Sequence, residues 1–291
     1  MGELIQFLFA GITMGAIYSL VGLGFNLIYN STGVINFAQG EFVMLGGMFL
    51  YSLQQVFHLP LVPSLLLVFV GGGMVGILAE FSTIRPLARH GVITMIIGTI
   101  GLSIALKGIA MVVWGKNALQ VSPFVSGDPL PFLGAALDRQ VLLVCILTLL
   151  IMVLLWAFFE LTLVGKAIQA CAINQVAARL VGIPVELMVL LSFFLSGAIS
   201  ALAGAFIVPI TLVEYGMGTM LGLKGFCAAI LGGIGNNLGA VLGGILLGLL
   251  EGLSSGYISS TYKDAIAFLL LIVILIWKPE GILGKGEGER V

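Results

Sequence analysis

The chain has 291 residues, of which 60% are hydrophobic and only 9% are charged, and its formal net charge is -1. A soluble domain needs roughly a quarter charged residues to hydrate its surface, so this composition excludes an ordinary soluble protein and indicates a lipid bilayer as the solvent. The near-zero net charge provides no basic surface, which argues against nucleic-acid binding.

Long uncharged stretches divide the chain into apolar segments. A helix needs roughly 20 apolar residues to cross a hydrocarbon core of about 30 Å, and most of these stretches are long enough. In chain order, the breaks predict spans at residues 5–28, 36–56, 62–82, 92–114, 140–159, 188–212, 220–235, 238–256 and 264–277. We therefore predict an all-α fold, a polytopic transmembrane helix bundle of about 8 to 9 membrane segments that forms a single domain over residues 1–291.

Two of the apolar segments are interrupted by Gly and Asn, at residues 22–47 and 222–244. One lies in each half of the chain. This pattern predicts discontinuous or re-entrant helices, because unwound backbone at membrane depth is tolerated only where protein or water satisfies it. Such matched interruptions point to a translocation pathway.

The first interruption carries polar side chains at membrane depth. Asn36 and Gln39 resemble a helix N-cap and its partner three residues later, which predicts that the second span begins at Asn36. Glu41 lies one turn further in, and because an ionised group there costs at least about 2.5 kcal/mol, it should face the bundle or a water-filled cavity. With Asn26 of the first span, these residues are candidates for lining a translocation pathway. An interhelical hydrogen-bond cluster without solute contact accounts for the same residues.

Lys and Arg cluster in three segments, and such clusters indicate the cytoplasmic face. Together the segments hold seven of the twelve basic residues: Arg85, Arg89, Lys166, Arg179, Lys278, Lys285 and Arg290. An even number of predicted spans separates the clusters, so all three fit on one face. The connection at residues 115–139, which contains three prolines, is then expected to face outward as an irregular loop. The side of the N-terminus stays open, because a re-entrant piece within residues 22–47 would reverse it.

The connection at residues 160–187 is long and mildly amphipathic. Its pattern predicts one short helix, ended by Gly182 and Pro184, that lies against the membrane on the cytoplasmic side. Such a helix is either a connector between spans or a docking surface for a soluble partner. Periodicity alone leaves both interpretations open.

Small residues recur at spacings of four along several predicted spans, as in the pairs Gly197 with Ala201 and Gly244 with Gly248, and Gly204 follows Ser200 in the same way. These surfaces let helix backbones approach closely. In lipid, where the hydrophobic effect between helices is weak, such packing is expected to hold the bundle together.

The sequence contains no arrangement typical of catalysis or metal binding. It lacks the Gly-x-x-x-x-Gly-Lys-Ser/Thr phosphate loop, and His58 and His90 are isolated, without metal-ligand spacing. We therefore predict no catalytic residue, no metal and no cofactor, and we expect the chain not to be an enzyme. Four acidic residues near span ends are expected to lie at the membrane interface: Glu80, Glu214, Glu251 and Asp264.

Three motifs, in order along the chain, resemble the signature of the branched-chain amino acid (LIV-type) permease subunits of ABC transporters. They are GVINFAQGE at residues 33–41, AAILGGIG at residues 228–235 and KPEGILG at residues 278–284. The stretch from residue 165 to residue 183 resembles the cytoplasmic coupling loop of ABC importer permeases. Two positions depart from the family pattern: Asn30 stands where a Gly commonly follows the Tyr, and residues 236–238 replace a more usual Ser-Ile-Pro turn.

The resemblance implies a permease subunit of an ATP-driven ABC importer in the bacterial inner membrane, which translocates branched-chain amino acids or a related small polar solute. It also implies a heterodimer with a paralogous permease subunit, two cytoplasmic ATP-binding subunits that hydrolyse ATP, and a periplasmic substrate-binding protein. The ATPase-coupling residues that it implies are Gly165, Lys166, Ala167, Asn174, Arg179 and Gly182.

Two other classes of function stay open on the residues alone. One is an ion-coupled secondary transporter, which needs ionisable residues inside the membrane, and only Glu41 and Lys107 are candidates for such a relay. The other is a passive channel for a small solute such as urea or amides, which has no need of the long connection at residues 160–187.

Overall fold

A computed structural model describes residues 2–132 and 135–284 of the chain. The described residues form twelve α-helices: α1 Gly2–Thr32, α2 Gln39–Tyr51, α3 Leu61–Ala79, α4 Arg85–Leu87, α5 Val92–Trp114, α6 Arg139–Leu161, α7 Leu163–Ile173, α8 Gln175–Leu180, α9 Val185–Ile207, α10 Met217–Gly232, α11 Asn237–Tyr257 and α12 Lys263–Trp277. A π-helical turn at Ser52–Val56 extends α2, and a second one at Glu80–Ile84 joins α3 to α4. Two basic residues of the tail, Lys285 and Arg290, lie outside the described residues.

Six of the described helical segments are long and apolar enough to cross a membrane. They begin at Gly2, Leu61, Val92, Arg139, Val185 and Asn237, and each contains at least 21 residues. At a rise of about 1.5 Å per residue, 21 residues reach roughly 30 Å, the thickness of the hydrocarbon core. The prediction of a polytopic transmembrane helix bundle is therefore confirmed.

Glycine-lined crossings bring the helices together. Helix α11 runs antiparallel to α1, and a Cβ added at Gly11 or Gly15 would lie 2.8 Å from the carbonyl oxygen of Gly248 or Gly244. Likewise, a Cβ added at Gly72 of α3 would lie 2.7 Å from the carbonyl oxygen of Gly197 in α9. No side chain fits between these backbones, so the small-residue packing predicted for the spans is confirmed at these crossings.

We predict that Gly204→Ala destabilises the bundle by about 1–3 kcal/mol, the usual cost of overpacking. Its Cβ would collide with the carbonyl oxygen of Val43 where α9 crosses α2. The matched control is Gly101→Ala in α5, where an added Cβ meets nothing within 4 Å. Unfolding in mixed micelles should show a loss only for the α9 variant, and equal stabilities of the two variants would contradict this account of the crossing.

The two interruptions are narrower than the sequence predicts. Helix α1 continues without a break through Gly22 to Thr32, and the unwound backbone is confined to residues 33–38. The second interruption is confined to residues 233–236, where Gly233 and Gly235 have φ values of 101° and 88°. Residues other than Gly rarely adopt this left-handed region, so the glycines permit the turn between α10 and α11.

The continuity of α1 fixes which end of the bundle holds the N-terminal segment. The end of α1 lies beside α8, because Gln175 Nε2 donates a hydrogen bond to the Ser31 carbonyl oxygen at 2.7 Å. The beginning of α1 therefore lies at the opposite face of the bundle from the connection at residues 160–187. The count of predicted spans also places the N-terminus and this connection on opposite faces. A re-entrant piece within residues 22–47 would have placed them on the same face.

The connection between α5 and α6 is more ordered than predicted. Strands β1 Leu130–Phe132 and β2 Ala135–Leu137 pair antiparallel, so the expected irregular loop is wrong for this part. Leu119 also forms an isolated antiparallel bridge with Val213. The strand residue Pro131 lacks an N–H donor, but it is tolerated in a two-stranded ribbon because one side of each strand is an edge.

Candidate functional site

The second interruption is held by side chains from α1. Asn26 is fully buried; its Nδ2 donates to the Asn236 carbonyl oxygen at 2.9 Å, and its Oδ1 accepts from the Gly235 amide at 3.0 Å. One turn later, Asn30 Nδ2 donates to the Gly235 carbonyl oxygen at 2.9 Å. Both amides of α1 thus satisfy backbone groups that the unwound segment leaves free.

Asn236 also anchors the tail. Its Oδ1 accepts from the Gly239 amide at 3.0 Å and caps α11, while its Nδ2 donates to the Leu283 carbonyl oxygen at 3.0 Å. Asn30 and Asn236 are two of the positions that depart from the family pattern. In this chain both make hydrogen bonds at the same interruption, so each contributes to its shape.

Asn36 and Gln39 lie in a buried hydrogen-bond cluster between α1, α2 and α9. Gln39 Nε2 donates to the hydroxyls of Ser196 and Ser200 at 2.8 and 2.7 Å, and Asn36 Nδ2 donates to Gln39 Oε1 at 3.4 Å. Ser196 in turn donates to the Gly24 carbonyl oxygen at 2.7 Å. The sequence left two interpretations of these residues, a translocation pathway and an interhelical hydrogen-bond cluster. The geometry at Asn36 and Gln39 matches the second.

The predicted helix start at Asn36 is wrong. Helix α2 begins at Gln39, and its N-cap is Ala38, which has no side chain able to cap. Asn36 Oδ1 instead accepts from the Ala38 amide at 3.1 Å, two residues on, in a turn that precedes the helix. An Asn side chain satisfies a turn of this kind as readily as a helix end, so the sequence pattern alone does not separate the two.

Glu41 faces a small, partly open cavity. Its side chain lies in the first turn of α2 and is 1% exposed, and its Oε1 accepts from the Ser103 hydroxyl at 3.1 Å. The cavity has a volume of about 170 Å³ and lies between α1, α2, α5 and α10. The expectation that Glu41 faces the bundle or a cavity is confirmed. The sequence offered no signal for Ser103, which lies in the long span α5.

The connection at residues 160–187, called the coupling segment below, contains two short helices. One helix was predicted, but Asn174 separates α7 from α8, and its Oδ1 accepts from the amides of Val176 and Ala177. The single-helix prediction is therefore wrong, because Asn174 caps α8 where it was expected to continue a helix. Gly182 then ends α8 with a φ of 86°, and its amide donates to the Arg179 carbonyl oxygen at 3.0 Å.

The first turn of α7 is packed against the end of α6. Thr162 caps α7, because its hydroxyl accepts from the Gly165 amide at 3.0 Å. Gly165 is buried, and a Cβ there would lie 2.7 Å from the Phe159 Cα. Lys166 forms an exposed ion pair with Glu160, and Ala167 packs partly buried against the core. Gly165 thus sets the approach of the coupling segment to the bundle.

The other side of the coupling segment exposes large apolar side chains. Ile173 is 87% exposed, Val176 69% and Leu180 84%, while Asn174 and Arg179 are exposed beside them. An open cleft of about 1,490 Å³ separates α7 from the ends of α1 and α10 and from the tail. Seven residues of the coupling segment line this cleft, so the segment borders the region where the second interruption lies.

A buried ionic cluster joins α1, α10, α11 and α12. Lys224 is 5% exposed, and its Nζ lies 3.0 Å from both carboxylate oxygens of Glu251 and 2.7 Å from Asp264 Oδ1. Tyr18 donates its hydroxyl proton to Glu251 at 2.7 Å, and Lys263 Nζ lies 3.2 Å from the same carboxylate. The expected interfacial position of Glu251 is therefore wrong: it is 3% exposed and lies inside the bundle.

Two other acidic residues expected at the interface have different environments. Glu80 lies at the end of α3, is 4% exposed and pairs with Arg85, whose Nε lies 3.1 Å from Glu80 Oε1. Glu214 is exposed and lies between α9 and α10, as expected. Glu80 stays paired because an unpaired buried charge is costly.

Comparison with known proteins covers almost the whole chain. The family model described as branched-chain amino acid transport system / permease component matches residues 7–275. The high-affinity branched-chain amino acid transport system permease protein LivH of Salmonella typhimurium is 33% identical, over 99% of this chain and 97% of LivH. BraD of Pseudomonas aeruginosa, which has the same description, is 31% identical, over 99% of this chain and 98% of BraD. The probable LivH of Methanocaldococcus jannaschii is 29% identical, over 91% of this chain and 88% of that protein.

Proposed function

The chain belongs to the family of branched-chain amino acid transport permease components, and from this membership we propose that it is a membrane-spanning permease subunit of an ATP-driven ABC importer. Its solute is a branched-chain amino acid or a related small polar molecule. The observation that carries this proposal is the sequence identity of 31–33% to LivH and BraD over 99% of the chain. The chain is a multi-pass protein of the bacterial inner membrane.

The complete membrane domain has eight to nine segments in this proposal. Six are the long helices, and the shorter helices α2, α10 and α12 supply the others. The coupling segment and Arg85 face the cytoplasm, in agreement with the clustering of basic residues. The beginning of α1 and the hairpin of β1 and β2 then face outward.

The solute pathway runs beside the two interruptions. Glu41 lines it directly, since its carboxylate faces the cavity between α2 and α10. Asn36 and Gln39 hold the start of α2 in place, and Asn26 holds the second interruption. We propose these four as the pathway residues. Glu41 contacts the solute, and the other three support the walls of the pathway.

ATP hydrolysis takes place in partner subunits. The sequence has no phosphate loop, and the coupling segment offers an exposed apolar surface of the kind that a soluble partner covers. Two cytoplasmic ATP-binding subunits dock on this chain and on a paralogous permease subunit, while a periplasmic substrate-binding protein delivers the solute. The contact uses the segment from Gly165 through Lys166 and Ala167 to Asn174, Arg179 and Gly182.

Reconstitution of the complex in proteoliposomes tests this function. We expect leucine accumulation that requires ATP inside the compartment where the coupling segment lies, and that stops when the ATP-binding subunits are left out. An ionophore should leave accumulation unchanged at constant ATP. Concentrative uptake without the ATP-binding subunits would contradict the proposal, as would equilibration of leucine without ATP.

A further inference from the structure

The cavity beside Glu41 has the size and lining of a site for a small apolar group. Its volume of about 170 Å³ is close to that of an apolar cavity of about 150 Å³ that binds benzene. Three aromatic rings line it: Phe226 lies 5.6 Å from Phe25 and 5.9 Å from Phe37, measured between ring centroids. An isobutyl or similar branched side chain would fit among them.

One carboxylate oxygen of Glu41 has no hydrogen bond among the described residues. Oε1 accepts from Ser103, but Oε2 is buried without a hydrogen bond in the part of the chain that the structure describes. Gly218 adjoins this oxygen, since a Cβ there would lie 2.6 Å from it. A buried, half-satisfied carboxylate is costly, and a cationic ligand in the cavity would remove that cost.

Lys107 provides the opposite charge near the same cavity. It lies half-buried within the membrane-spanning helix α5 and forms no salt bridge among residues 2–132 and 135–284. Its Nζ donates to the Thr219 hydroxyl at 2.6 Å, and Thr219 lines the cavity. Because Ser103 and Lys107 are four residues apart, they share one face of α5. Its charge also acts on the Glu41 carboxylate, and a pair of opposite charges at membrane depth beside a cavity calls for a functional explanation.

We propose that Glu41 and Lys107 form a binding site for the zwitterionic head of an aliphatic amino acid. Glu41 Oε2 accepts hydrogen bonds from the α-ammonium group, Lys107 binds the α-carboxylate, and the Phe25, Phe37 and Phe226 rings contact the side chain. Both charges of the ligand are then matched at membrane depth, where water is scarce. The inference rests on the proposed function, because it takes the transported solute to be an amino acid.

Three ligands that share one side chain test the assignment. They are leucine, leucinol, which lacks the carboxylate, and 4-methylpentanoate, which lacks the ammonium. Binding is measured to the permease complex in nanodiscs, without the binding protein. Glu41→Gln should weaken leucine and leucinol by about 10- to 100-fold and leave 4-methylpentanoate unchanged. Lys107→Met should weaken leucine and 4-methylpentanoate by a similar factor and leave leucinol unchanged.

This crossed pattern separates recognition from structure. A merely structural role of either residue would weaken all three ligands equally, and that result would overturn the proposal, as would unchanged leucine affinity in both variants. Glu3→Gln and Lys116→Met, which change exposed charges elsewhere, should match the wild type. Failure of the wild-type complex to bind any of the three ligands would instead contradict the proposed function and remove this site with it.

Discussion

Lys224→Met is expected to destabilise the bundle by about 3–5 kcal/mol, the range measured when one partner of a buried ion pair is removed. Lys224 of α10 forms ion pairs with two carboxylates, Glu251 of α11 and Asp264 of α12. Without it, the contacts left to Glu251 among residues 2–132 and 135–284 are Tyr18 and the 40% exposed side chain of Lys263. Unfolding of the purified chain in mixed micelles by a denaturing detergent measures the loss.

A double variant tests the electrostatic origin of this effect. Lys224→Met combined with Glu251→Gln removes both charges and should recover at least half of the loss, because no buried charge of that pair is left unmatched. The matched control is Glu160→Gln, which breaks the exposed pair with Lys166 and should cost less than about 1 kcal/mol. A double variant as unstable as the single one would show that packing, not charge, explains the result.

The ionic cluster also shows what the sequence leaves undetermined. Glu251 lies near the end of its predicted span, and a residue near a span end reaches water in one helix tilt and the bundle interior in another. Its pairing with Lys224 depends on the register of α10 against α11, which the glycines at the turn set. Segment-by-segment interpretation of hydropathy contains no information on such contacts between helices.

The sequence predicts where helices are present much better than it predicts the residues at which they begin and end. Every predicted span corresponds to a helix, since a long apolar run in lipid must satisfy its own backbone hydrogen bonds. Asn174 and Asn36 were misassigned for a common reason: an Asn side chain bonds nearby backbone amides in several conformations. Of the proposed pathway residues, Glu41 lines the cavity between α2 and α10, and its inward position followed from the cost of charge at membrane depth.

Leu180→Asp is expected to weaken binding of the ATP-binding subunits by roughly 30-fold or more, equivalent to the loss of an interface hot spot of at least about 2 kcal/mol. Leu180 is 84% exposed at the end of α8, with Val176 one turn before it on the same face. A carboxylate there would be desolvated beneath the partner without a counter-charge. Copurification of the subunits and ATP-driven leucine uptake should both fall, while membrane insertion of the chain persists.

Position along the bundle supplies the control for this prediction. Ile258→Asp introduces the same chemical change at a 70% exposed residue beyond the end of α11, at the face opposite the coupling segment, and should leave subunit binding intact.

Gly182→Val should also weaken binding of the ATP-binding subunits, because a φ of 86° disfavours a β-branched residue, and the substitution would therefore shift the end of α8. The docking surface would be misplaced if a cysteine introduced at Val176 reacted with a membrane-impermeant thiol reagent from outside intact cells, since ATP-binding subunits never meet that face.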